Sequence, residues 1–130
     1  MTGKRRTPTR AREPAPESAR DDFFRFVLRV LDEKRAEEIV CLDVGKVTTI
    51  ADSFVIATVS SPRQSSALRE EIEKERKKRG LPRVGIEGEA GSGWVILDYG
   101  SLVVHLFGPE QRAYYALEHL WSDAPKLPFP

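Results

Sequence analysis

The sequence predicts a mixed α/β sandwich, with helices packed on a sheet. Three observations carry this. Apolar residues from Phe24 to Leu31 recur at spacings of 3, 4 and 7, the period of a helix face. Short runs rich in β-branched residues recur further on, and two of them flank Asp98-Tyr99-Gly100-Ser101 as a strand, a turn and a strand. Between the runs, Ser61-Pro62 and Pro109 open helical patterns. The count is two helices, two to three central strands, a hairpin and a closing helix.

Residues 1–17 hold Pro8, Pro14 and Pro16, excess positive charge and no large apolar residue after Met1. Such a segment buries too little to offset its ordering entropy and is expected to be a disordered basic tail. The folded domain is expected over 18–125. Its first helix starts near Ser18, where Asp21 and Asp22 suit a positive helix end, and stops near Arg35. Phe24, Val27, Leu28 and Leu31 form its stripe, broadened by Phe23, Phe26 and Val30. Strands follow at about 38–44 and 53–59. The Ser61-Pro62 helix runs to Arg79 and stops at Gly80, with a narrow stripe of Ala67, Leu68 and Ile72 and a basic end from Arg76 to Arg79. Val84 to Glu87 is a short strand, and Gly88 to Gly93 is a loop leading into the hairpin. The closing helix turns Ala113, Leu117, Leu120 and Trp121 inward. Residues 126–130 are a Pro-rich C-terminal end, expected to be extended.

At 130 residues the chain is sized for one domain with a conventional core. One cysteine precludes an internal disulfide, and two histidines with it cannot complete an all-Cys/His zinc site. Cys41, within Ile39-Val40-Cys41-Leu42, reads as a small buried hydrophobe. No run approaches a membrane span and no signal-peptide core is present, so a cytoplasmic protein is expected, without membrane contact. The net charge of +1 conceals an asymmetry. The first twenty residues carry +4 and the remainder carries −3, so the body is not a nucleic-acid binder by overall charge.

Catalytic patterns are weak. Magnesium-dependent phosphoryl transfer needs carboxylates that share the metal. Glu87-Gly88-Glu89 is the nearest imitation, and alternation sends its side chains to opposite faces. The glycine-rich loop precedes a strand, whereas a phosphate cradle opens a helix. No serine, histidine and acid fall into a local triad pattern. No enzyme, cofactor or metal site is therefore expected.

Recognition remains. Trp94, Ile96 and Asp98 share one strand face, and Val103, His105 and Phe107 share one on the returning strand. If Leu102, Val104 and Leu106 pack on the core, His105 is displayed with Val103. Tyr99, at the turn, is expected to be exposed. Tyr115 and Trp121 read as core residues.

These motifs carry a resemblance. The hairpin, Asp52-Ser53-Phe54-Val55-Ile56-Ala57-Thr58, Gly85-Ile86-Glu87-Gly88, and Tyr114-Tyr115 ahead of Leu117-Glu118-His119-Leu120-Trp121 occur in an order and spacing that resembles the ribosomal silencing factor (RsfS, Iojap-like) family. The likeness runs from about Asp21 to Pro125. It implies a nucleotidyltransferase-like mixed sheet of about five strands flanked by helices. It also implies a translational repressor of nutrient-limited cells. Such a factor binds large-subunit ribosomal protein fourteen and sterically blocks joining of the subunits, and it is linked to large-subunit maturation. Trp94, Asp98, Tyr99, Ser101 and His105 are the partner-binding residues expected. A homodimer off the ribosome is implied as well. Two departures stand out: Ser101 replaces a common acidic residue, and Ser53 an apolar one. The alternatives are a divergent nucleotide-binding enzyme of that fold, and a ribosomal-RNA binder acting through the tail and Arg76 to Arg79.

Overall fold

A computed structural model of the chain describes residues 17–127. The tail expected over 1–17 therefore lies outside the described residues, except that Glu17 opens a helix. Helix α1 (Glu17–Glu33) buries Phe23, Phe26, Val27, Leu28, Val30 and Leu31 against the sheet, while Phe24 is only partly covered. It ends where Arg35 takes a left-handed φ of 67° and the Ala36 amide donates back to the Leu31 carbonyl. That six-to-one bond is the usual way of satisfying a last carbonyl.

Strands β1 (Glu37–Asp43) and β2 (Ser53–Thr58) pair antiparallel, with a register shift between Glu37 and Val40 where Glu38 has a φ of 49°. Helix α2 (Pro62–Lys78) starts as its sequence dictates. The Ser61 hydroxyl accepts from the Gln64 amide at 3.1 Å, and Pro62 takes the first turn, where its missing N–H costs nothing. Leu68 and Ile72 are buried with Ser65, whereas Ala67, expected in the stripe, faces solvent. After Gly80, at a φ of 68°, come β3 (Gly85–Glu87), a 3-10 turn (Ala90–Ser92), β4 (Trp94–Asp98) and β5 (Leu102–Phe107).

The closing helix is not continuous. Ala116 adopts a φ of 44° and divides it into α3 (Pro109–Tyr115) and α4 (Leu117–Leu120). The break sets the two segments out of phase: Ala113 and Leu120, expected to face inward, are exposed, and Arg112 is buried with Leu117. Strand β6 (Lys126–Leu127) then pairs antiparallel with Cys41 and Leu42 of β1. Among the described residues the sheet thus has six strands, ordered β3-β4-β5-β2-β1-β6, and only β2 and β5 are parallel. Helices α1 and α2 cover one face over Cys41, Val55, Ala57, Val95, Leu97, Val104 and Leu106. Leu117, Trp121 and Ala124 cover part of the other, over Leu42, Phe54, Ile56, Val103 and Phe107.

Candidate protein-binding face

That second cover lies mainly over β1, β2 and β5. Trp94, Ile96 and Asp98 follow the period-two alternation of β4 onto the same face, and all three are partly buried, Trp94 and Ile96 packing against the edge of that cluster. Across the ladder, Ile96 faces Glu87 on β3. Tyr115 borders the row: its ring lies 4.6 Å from Trp94, and Tyr114 meets it edge-on at 5.0 Å. Tyr114 is 82 % exposed, an unusual position for an aromatic ring. An apolar and aromatic strip with carboxylates along its margin results. Charge and rings in that arrangement suit a protein partner more than a small ligand.

His105 belongs to this face but is not displayed. Both sides of β5 are covered, and His105 is 5 % and Val103 8 % exposed. The Trp94 indole N–H donates to His105 Nδ1 at 3.2 Å, and Phe54 packs edge-on at 5.0 Å. Because Nδ1 accepts, the proton of the neutral ring sits on Nε2, which is buried without a partner. Burial pushes the His105 pKa down to about 4. A base depressed in the folded state supports the fold above its unfolded pKa and loses that support as pH falls. The loss here runs from about 6.5 down to about 4 and amounts to about 3 kcal/mol. Melting temperatures across that window should fall less steeply for His105→Phe than for the native chain. Equal slopes would show that the imidazole does not drive acid sensitivity.

Tyr99 is buried too, against the expectation of an exposed turn residue. Its hydroxyl donates to Glu73 Oε2 on α2 at 2.7 Å, and its ring meets Phe23 edge-on at 5.2 Å. Burial, then the bond to Glu73, raises its pKa further above the usual phenol range. Asp98 shapes the turn, with Oδ1 accepting from the Gly100 amide at 2.9 Å where Gly100 needs a φ of 84°. Ser101 is half-buried, and its carbonyl accepts from the Asp52 and Ser53 amides. The structure thus brings Trp94, Asp98 and His105 to one face, sends Tyr99 through to the other, and leaves Ser101 at the tip of the turn. Tyr115, expected in the core, is instead 44 % exposed, and Tyr114 is the aromatic that sequence reasoning passed over. Two adjacent helical residues point about 100° apart, which argues against placing both in a core.

Elsewhere the chemistry is structural. Arg76 pairs with Glu73 and donates to the Leu81 carbonyl, and Arg79 pairs with Glu75 while lying over Phe26. Half of the expected basic run is thereby occupied within the molecule, leaving Lys77 and Lys78 exposed. Cys41 is buried, and burial alone lifts its thiol to about 11. Among the described residues no cluster of three or more His, Cys, Asp or Glu is placed to hold a metal ion, and no helix is long and apolar enough to cross a membrane. Residues 88–93, expected as a plain loop, fold into the 3-10 turn, with the Ser92 hydroxyl donating to the Glu89 carbonyl at 2.6 Å.

Residues 16–130 match the family described as "Ribosomal silencing factor during starvation". The chain is 40 % identical over 103 residues to the ribosomal silencing factor RsfS of Bacillus subtilis, covering 79 % of this chain and 87 % of that one. It is 36 % identical over 106 residues to the RsfS of Halalkalibacterium halodurans, covering 82 % and 91 %. A crystal structure of a Chromobacterium violaceum protein superposes with a TM-score of 0.73 at 32 % identity, covering 84 % of this chain and 90 % of the other. The fold defines a small mixed α/β protein with a partly exposed row on one sheet face. The chain belongs to the ribosomal silencing factor family.

Proposed function

We propose that the protein represses translation by docking the β4 row and its flanking tyrosines on large-subunit ribosomal protein fourteen, where it stands in the way of the small subunit. The observation that carries this reading is the partly exposed row Trp94–Ile96–Asp98, edged by Glu87 and Tyr115, on a chain of the silencing-factor family. Rings supply contact area at low entropic cost, and the carboxylates complement a basic ribosomal surface. A steric block needs no covalent step. The cytoplasm is the site of action that follows, and off the ribosome the same row offers a surface to a second copy of the chain. A part in large-subunit maturation is compatible with that docking site.

The test is sedimentation with isolated large and small subunits, followed by addition of the opposite subunit. The protein should pellet with large subunits alone and reduce the formation of joined ribosomes in proportion to occupancy. Pelleting with small subunits, or normal joining at full occupancy, would refute it. Direct RNA binding through Lys77, Lys78 and the tail predicts instead a steep loss of affinity with salt, since each neutralised phosphate releases a counterion.

A further inference from the structure

The Asp98–Ser101 turn is held from behind the sheet. Tyr99 continues the inward set of Val95 and Leu97, and its hydroxyl reaches Glu73 Oε2. The other oxygen, Oε1, accepts from Arg76 Nη2 at 3.3 Å and from Arg83 Nη1 at 2.5 Å. Arg83 precedes the residue whose amide, Val84 N–H, donates to the Asp98 carbonyl at 2.8 Å. One carboxylate therefore ties down the turn through Tyr99 and the adjoining β3 approach through Arg83. Burial pulls the Glu73 carboxyl upward, but the bonds from Tyr99 and Arg83 and the charge of Arg76 outweigh it and hold the pKa below the usual glutamate value. On the other side of the sheet, Asp98 spends Oδ1 on the Gly100 amide, so the direction of its remaining oxygen follows the conformation of the turn.

We infer that Glu73 is a positioning residue for partner docking: without touching the partner, it clamps Tyr99 and Arg83 and so fixes where the Asp98 carboxylate stands at the margin of the β4 row. The inference rests on the docking reading above. A turn set in advance spares the complex the entropic cost of ordering it on contact. It also gives Tyr99 a role that its burial allows, in place of direct contact.

Two substitutions test the clamp in the full chain. Tyr99→Phe keeps the ring on Phe23 and the Glu73–Arg76–Arg83 pairs and removes only the hydroxyl. Glu73→Gln removes the charge, and should it fail to fold, Tyr99→Phe decides alone. Amide hydrogen exchange at Tyr99, Gly100 and Ser101 should speed up by about fivefold or more, and affinity for isolated large ribosomal subunits should fall by a similar factor. In an Asp98→Asn background the effect of Tyr99→Phe on affinity should largely vanish, a coupling between groups that make no direct side-chain bond. A purely structural contribution would lower the melting temperature and leave that cycle additive, which overturns the inference. Unchanged exchange overturns the clamp itself, and faster exchange at unchanged affinity overturns its role in docking. If the unaltered chain fails to bind large subunits, the docking reading falls and takes the positioning role with it, while the exchange rates still show whether the clamp exists.

Discussion

Replacing Ile96 with arginine is expected to abolish detectable binding to isolated large ribosomal subunits while leaving the protein folded. Ile96 sits at the middle of the partly exposed row, between Glu87 on β3 and His105 on β5. Its apolar surface is the part of the row that a partner would desolvate most completely, and central anchors of this kind cost about 2 kcal/mol or more when lost. On the docking proposal the substitution also sets a cation against a basic partner surface, and a like-charge contact costs several kcal/mol more. The free chain tolerates it because the position is half-open, a long stem can lie along the sheet, and Glu87 stands opposite as a counter-charge. Sedimentation with titrated large subunits gives the affinity, and a thermal melt gives the fold. Binding within about twofold of the native chain would place the interface away from β4, since a hot spot cannot be so cheap. Trp94→Phe is the companion variant, keeping a ring against Phe107 and Tyr115 while removing the donor to His105.

Arg112→Ala is expected to be the most destabilising single change on the α3–α4 side. The guanidinium is buried. Its Nη1 donates to Thr58 Oγ1 at 2.9 Å, and its Nε and Nη2 both reach Glu118 Oε2, at 2.9 and 2.8 Å. Burial opposes ionisation of Glu118, but the bonds from Arg112 prevail and keep its pKa below the usual glutamate value. Truncation leaves a cavity, a Thr58 hydroxyl with only its long bond to Glu38 at 3.4 Å, and a carboxylate without its cation. Breaking a fully buried pair costs about 3–5 kcal/mol, and the partial exposure of Glu118 brings the expectation to roughly 2–3. Chemical denaturation should show a lowered midpoint at unchanged slope. A loss under about 0.5 kcal/mol, the size of an ordinary surface change, would show that the pair is solvated and the helices are held by packing alone. Arg112→Met restores volume without charge, so any recovery it gives measures the cavity share.

The elements that were legible in the sequence are those specified locally. Ser61 and Pro62 fix the start of α2, Gly80 its end, and Gly100 the corner of the hairpin, because each residue's own chemistry meets a backbone demand at its own position. What escaped depends on distant partners. Strand β6 is two residues long and carries no period; only the free edge of β1 makes Lys126 and Leu127 a strand. Ala116 has no sequence mark of a left-handed residue, and its break is what buries Arg112 instead of Ala113. The depth of His105 was hidden because β5 is covered on both faces, which removes the alternation that would have marked an exposed side. Tyr99 was legible in principle. It shares parity with Val95 and Leu97, so the rule that placed Asp98 on the open face places Tyr99 behind it.

The parallel pairing of β2 with β5 sets the order in which the chain can mature as it is made. Register partners such as Ser53 and Leu102 lie 49 positions apart, and the two strands are central in the sheet. At about 5–20 residues per second, the apolar run of β2 waits roughly 2–10 s for its neighbour to be synthesised. Until then its edge is open to any extended segment, and helix α2, which is local, is the element able to form early and shelter it. A chain interrupted before Leu102 would hold both helices of one layer and no complete sheet to rest them on. Assembly is therefore gated by the last third of the message, which also encodes the β4 row, so the proposed docking surface and the sheet that supports it arrive together.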